Sequence, residues 1–232
     1  PVEYRAWELE IGGRGGIAEG GERALLGLVE LKSGLFRNGQ VGLELEAGFE
    51  DPGAGIEARD GLEALSAHVL YGIARETVSF PAVALRLDAS TPGTGSIGHE
   101  DWQAGAKAIL TRSFGRLRLH GNGGYRIASE ADGDDYWRVG LAADYPLGLF
   151  SRSVLADVYA EIPTSTGRSR VWVEVGTRLQ TSNRSVLDLG VATRLDAWDQ
   201  GNANVELVVG VSRILNLPWL TGVRPYPNPT IP

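Results

Sequence analysis

His120 and Asn122 are two residues apart, so an extended chain puts both on one face. A histidine beside an orienting amide is part of a nucleophilic hydrolase site, which also needs a serine within reach. No serine adjoins them in sequence, so His120 reads instead as one member of a charged hydrogen-bond network. His68, His99 and His120 are the three histidines and cysteine is absent, so no transition-metal donor set is expected. Asp132-Gly133-Asp134-Asp135 offers oxygens to calcium but lacks the EF-hand loop pattern, and reads as a solvated acidic loop. The expectation is no catalytic residue, no metal, no cofactor and no enzyme.

The other charged residues recur at every second position. Glu44 and Glu46 alternate with Val41, Leu43, Leu45, Ala47 and Phe49, which occupy the odd positions. Arg118, His120 and Asn122 alternate with Leu117 and Leu119, and Asp188 and Gly190 with Leu187, Leu189 and Val191. Period 2 describes a strand with one apolar and one polar face. No stretch reads as the second layer of a soluble sandwich, because each strand-like segment carries charge on its other face. A transmembrane β-barrel needs that pattern, with lipid outside and a polar lumen within.

Twelve strands are expected, beginning with residues 5–11 and ending with residues 204–214. One set of connections is long, Gly-rich or charged: 12–23, 50–61, 90–101, 128–135, 163–169 and 196–203. The alternate set is mostly shorter: 33–39, 75–79, 113–115, 146–150 and 180–184. Long extracellular loops and short periplasmic turns give this alternation. Trp7, Phe49, Phe80, Trp102, Tyr125, Trp137 and Tyr145 fall near strand ends, where an aromatic girdle would lie.

Composition agrees with an all-β chain. Gly accounts for 32 of 232 residues, about twice the ordinary usage of roughly 7%. No apolar run is long enough for a membrane-spanning helix. The net charge of −7 argues against nucleic acid as a partner. The chain starts at Pro1 without a basic-then-apolar leader, which reads as a mature or trimmed product.

The segment Phe80-Pro-Ala-Val-Ala-Leu-Arg-Leu-Asp-Ala-Ser-Thr-Pro-Gly-Thr-Gly95 resembles the central motif of a family of bacterial outer-membrane proteins, described as transporters of the meta-pathway of phenol degradation. That family runs a Pro-Ala-x-Ala-Leu-Arg strand into a Pro-Thr-Gly loop, which here reads Thr91-Pro92-Gly93-Thr94-Gly95. A later strand like Leu119–Tyr125 also recurs there. The resemblance implies an outer-membrane barrel passing small solutes, hydrophobic or aromatic compounds among them.

The fold expected is a single antiparallel up-and-down barrel over residues 1–215, with a Pro-rich extended tail over 216–232. The candidate lumen residues are Glu30, Glu44, Glu46, His68, Arg86, Lys107, Arg116, Arg118, His120, Arg138, Asp157, Glu174, Arg178, Asp188 and Arg194. Early strands are acid-rich and strands six to eight base-rich, so the two arcs would face each other across the lumen. Two functions fit: a channel with a transverse field, or a non-conducting barrel anchoring or belonging to a larger envelope assembly. Outer-membrane lipid is the expected surrounding. The tail, through Trp219, Leu220, Tyr226 and Ile231, would dock on the barrel mouth or on a periplasmic or envelope partner.

Overall fold

The computed structural model describes residues 2–18, 22–52, 56–97, 102–128, 135–148, 151–165, 168–198, 204–215 and 217. His99, most of the acidic loop at 132–135, and the tail apart from Leu217 lie outside the described residues. Twelve strands run β1 (Trp7–Ala18), β2 (Arg23–Phe36), β3 (Gly39–Asp51), β4 (Arg59–Ala74), β5 (Ala82–Ser90) and β6 (Gln103–Phe114), then β7 (Leu117–Ile127), β8 (Tyr136–Pro146), β9 (Arg152–Pro163), β10 (Arg170–Ser182), β11 (Ser185–Arg194) and β12 (Asn204–Leu215). Each strand pairs antiparallel with its sequence neighbour, and β1 pairs with β12 to close the barrel. Closure removes both sheet edges, so every strand has its backbone groups paired on both sides.

The outer face is apolar. Ile11, Val29, Leu43, Val69, Leu87, Leu141, Val175, Leu189 and Leu207 are all exposed there, uncovered by any of the described residues. Aromatic side chains form two belts. Phe49, Trp102 and Trp137 stand at the long-loop end; Phe36, Tyr71, Phe80, Phe114 and Tyr145 stand at the turn end. Tyr125 packs tilted against Trp137, with ring centroids 4.8 Å apart. Trp137 and Tyr145 are eight residues apart on β8, about 26 Å along the strand at ~3.3 Å per residue. Tilted by about 35–45°, that length spans roughly 19–22 Å of an apolar band about 25 Å tall.

One connection differs from expectation. Gly12-Gly13-Arg14-Gly15-Gly16 was read as loop, but β1 continues through it to Ala18 and pairs with both β2 and β12. Gly is a weak strand former in isolation. Here two ladders hold the segment in place, and Arg14 keeps the inward phase of Glu8 and Glu10. Arg116 is also displaced: it lies exposed in the turn before β7, not in a strand.

Two ends of the barrel are pinned by loops. At the turn end, Glu76 accepts hydrogen bonds from the Ser113 amide (2.7 Å) and hydroxyl (2.9 Å), clipping the β4–β5 turn to β6. At the loop end, residues 91–96 run alongside β4, with Thr94 N donating to Leu62 O and Ser96 N to Asp60 O. Gly95 has φ +78°, and a side chain there would overlap the Asp60 carbonyl, so the Thr91–Gly95 motif needs glycine at its end. Beyond it, Ile97 turns inward over Gly48 and Leu26.

Candidate functional site

The inward phase of the strands encloses two cavities. The larger, about 1170 Å³, fills the loop-side half, and the smaller, about 620 Å³, opens at the turn side. Both are lined by Leu155, Glu174 and Arg178, so they are successive parts of one lumen. The larger brings together Glu44, Glu46, Arg86, Lys107, Arg138, Glu174, Arg178, Asp188 and Arg194. Arg116, Arg118, His120 and Asp157 line the smaller one. Glu30 and His68 are buried, at 5% and 4% exposure, and line neither.

Charge is sorted around the wall. Glu10, Glu44, Glu46 and Glu63 reach the larger cavity from β1, β3 and β4; Arg86, Lys107, Arg126 and Arg138 reach it from β5 to β8. In the closed order the two arcs adjoin at β4 and β5, and their centres, near β2–β3 and β6–β7, lie about four of the twelve strands apart. The lining is neutral in sum, with nine acidic and nine basic side chains. The charges are therefore separated in space while the lumen as a whole stays balanced.

Most of the ion pairs run between neighbouring strands. Lys32 sits among three glutamates, bonded to Glu10, with Glu30 at 3.0 Å and Glu8 at 3.6 Å. Glu30 also meets His68 Nδ1 at 3.3 Å, and Gln40 contacts the other ring nitrogen at 3.4 Å. Gln40 Oε1 accepts from the Val2 amide (2.7 Å), so the N-terminal segment closes over this corner. On the far side Arg138 donates to Glu161 (2.6 Å), and Arg178 makes a fork-like pair with Asp188 (2.8 Å twice). His120 bridges Thr111 Oγ1 and Asp144 Oδ2, each at 2.9 Å.

Arg14, Trp172, Leu26, Leu28 and Val208, missed from sequence, complete the wall beside Tyr159 and Glu206, whose spacing gives them the inward phase. Arg14 pairs with Glu206 (3.4 Å) and lies 5.8 Å from the Trp172 ring centre; Arg194 lies 5.7 Å from that ring. Tyr159 stacks beside Trp172 at 6.2 Å, with Arg138 4.9 Å from the phenol ring. Leu26, Leu28 and Val208 add an apolar strip. The signal for Arg14 was its even spacing from Glu8 and Glu10. Leu26 and Leu28 carried none, because an apolar residue facing inward cannot be told from one facing lipid. Asp135, the described end of the acidic loop, is engaged structurally, accepting from Tyr125 OH (2.7 Å) and the Ala128 amide (3.0 Å).

The geometry can be compared with known proteins. No family model and no curated protein matches the sequence. Among solved structures, an outer-membrane channel from Pseudomonas putida F1 is similar, with a TM-score of 0.69 at 12% identity, covering 93% of this chain and 97% of that one. The NanC porin gives 0.62 at 12% identity, with coverage of 89% and 100%. The translocator domain of the autotransporter NalP from Neisseria meningitidis gives 0.60 at 14% identity, with coverage of 90% and 87%. At such identities the likeness is one of fold. The chain is a closed barrel of the bacterial outer-membrane type. Its apolar outer face and two aromatic belts, on this fold, place it in the bacterial outer membrane.

Proposed function

We propose that the protein is an outer-membrane channel passing small solutes through a narrow, charged lumen. The observation that carries the reading is the pair of cavities sharing Leu155, Glu174 and Arg178, one on the loop side and one at the turn mouth. An anchor without transport would fill this space with side chains. Here Gly12, Gly176 and Gly210 line it instead. The separated arcs of Glu44 and Glu46 against Arg86, Lys107 and Arg138 orient a polar or charged group. The strip of Leu26, Leu28 and Val208 supports an apolar or aromatic body beside it.

Swelling of vesicles containing the refolded barrel tests this. Monosaccharides and small carboxylates enter and trisaccharides do not. No swelling with any solute, from a barrel shown to be folded and inserted, returns the protein to the anchoring role.

The C-terminal segment 216–232 is proposed to hold an envelope partner. Proline has no amide to donate, so Pro225, Pro227, Pro229 and Pro232 favour an extended peptide. Truncation after Leu217 leaves the barrel folded and removes a crosslink to that partner in intact cells. A crosslink pattern unchanged by truncation contradicts the docking role.

A further inference from the structure

The lumen wall of β5 to β8 carries two parallel rows of charge, each interrupted by glycine. In one row Arg86 is paired with Lys107, Lys107 with Gly124, and Gly124 with Arg138. In the next, Asp88 is paired with Gly105, Gly105 with Arg126, and Arg126 with Tyr136. A side chain at 124 would come within 2.6 Å of the Ala106 carbonyl, and one at 105 within 2.9 Å of Asp88 Oδ2. Between the cations the two glycines leave a notch that the Asp88 carboxylate occupies at 105 and the backbone of Ala106 and Lys107 closes at 124.

The cations around this notch are incompletely satisfied. Lys107 lines the cavity and, among the described residues, forms no hydrogen bond or ion pair. The Nε atoms of Arg86, Arg126 and Arg138 are buried without a hydrogen-bond partner. Asp88 is held only loosely, 3.8 Å from Arg86 and 3.9 Å from Arg126. Glu161 takes Arg138 from the side. Glu44, two strands away on β3, and Glu63 on β4 act on this cluster at longer range. Asp88 and Glu161 pair with Arg86, Arg126 and Arg138, which leaves Lys107 outside those pairs.

We infer that this wall is a binding subsite for a compact dianion, a small dicarboxylate or inorganic phosphate, bound chiefly by Arg86, Lys107, Arg126 and Arg138. The inference deepens the channel reading and rests on it for solute access; binding itself needs no conduction. Asp88 acts as a resident competitor in the notch.

Calorimetric titration of the refolded full chain in detergent at low ionic strength, with succinate and separately with inorganic phosphate, tests it. Saturable one-to-one binding that weakens with added salt is expected. Lys107→Gln weakens it at least about tenfold, given the usual strength of a hydrogen bond to a charged group. Lys107→Arg restores it, and Asp88→Asn tightens it. Succinate alone binding assigns a dicarboxylate; both anions binding alike assigns any compact dianion. No saturable binding of either anion to a barrel that migrates as the folded species overturns the subsite, as does unchanged binding in Lys107→Gln. A barrel that binds but does not conduct fails the channel reading only; one that conducts but does not bind fails the subsite only.

Discussion

Gly42 faces His68 across the β3–β4 pair, and the imidazole occupies the space a side chain at 42 would fill. The ring is thereby pressed flat onto the sheet, where it meets Glu30 on one nitrogen and Gln40 on the other. Gly42→Val should push His68 off both partners and destabilise the barrel by about 1–3 kcal/mol, as overpacking does. Gly123→Ala, on the outer face with nothing within 4 Å, should be neutral. Equilibrium urea unfolding of the two variants compares them; equal midpoints would contradict the packing described.

Leu189 is exposed on the outer face of β11, whereas Gly210 lies on the inner face of β12 beside Asp188, 3.7 Å from where a Cβ would sit. Leu189→Arg should cost about 2–4 kcal/mol, as charge facing the bilayer midplane does, and lower the yield of assembled barrel. Gly210→Ser should assemble normally. Heat-modifiable gel mobility reads both.

The strand count and the closed antiparallel barrel were legible in sequence because half-apolar strands carry their own period. What escaped was set by pairing across strands. Gly12–Gly16 has no strand-forming residues, and only the ladders of β2 and β12 extend β1 through it. Lys32, two residues after Glu30, shares its strand face, but its place among Glu8, Glu10 and Glu30 depends on register, which no single strand reveals. Residues 2–6 fold back at the turn end onto Gln40 and Gly34, a contact with no periodic signature.

Asp196 opens the short helix α1 (Leu195–Trp198) after β11 and accepts from Arg194 Nη2 (2.8 Å) and the Val171 amide (2.9 Å). Those bonds, the Arg194 one foremost, hold its carboxyl below the usual 3.8. A depressed folded value means that its contribution is fully present above the ordinary value and is lost as pH falls through the depressed one. Carboxyl NMR should show Asp196 titrating below the free side chain; titration at or above 3.8 would contradict the anchoring.

Glu44 and Glu46 line the larger cavity from β3, beside the basic wall of β5 to β8, while Arg116 stands in an exposed turn. Glu44→Gln with Glu46→Gln should move the reversal potential in a salt gradient toward anion selectivity. Arg116→Gln alone should move it far less. A larger shift from Arg116 than from the glutamate pair would relocate the selectivity-determining zone to the turn mouth.

Single-channel recording of the refolded chain in a planar lipid bilayer tests the channel most directly. An open lumen running from the loop-side cavity past Glu174 and Arg178 to the turn mouth gives discrete, repeatable current steps in potassium chloride. A barrel verified as folded and inserted that leaves the bilayer as insulating as lipid alone contradicts it.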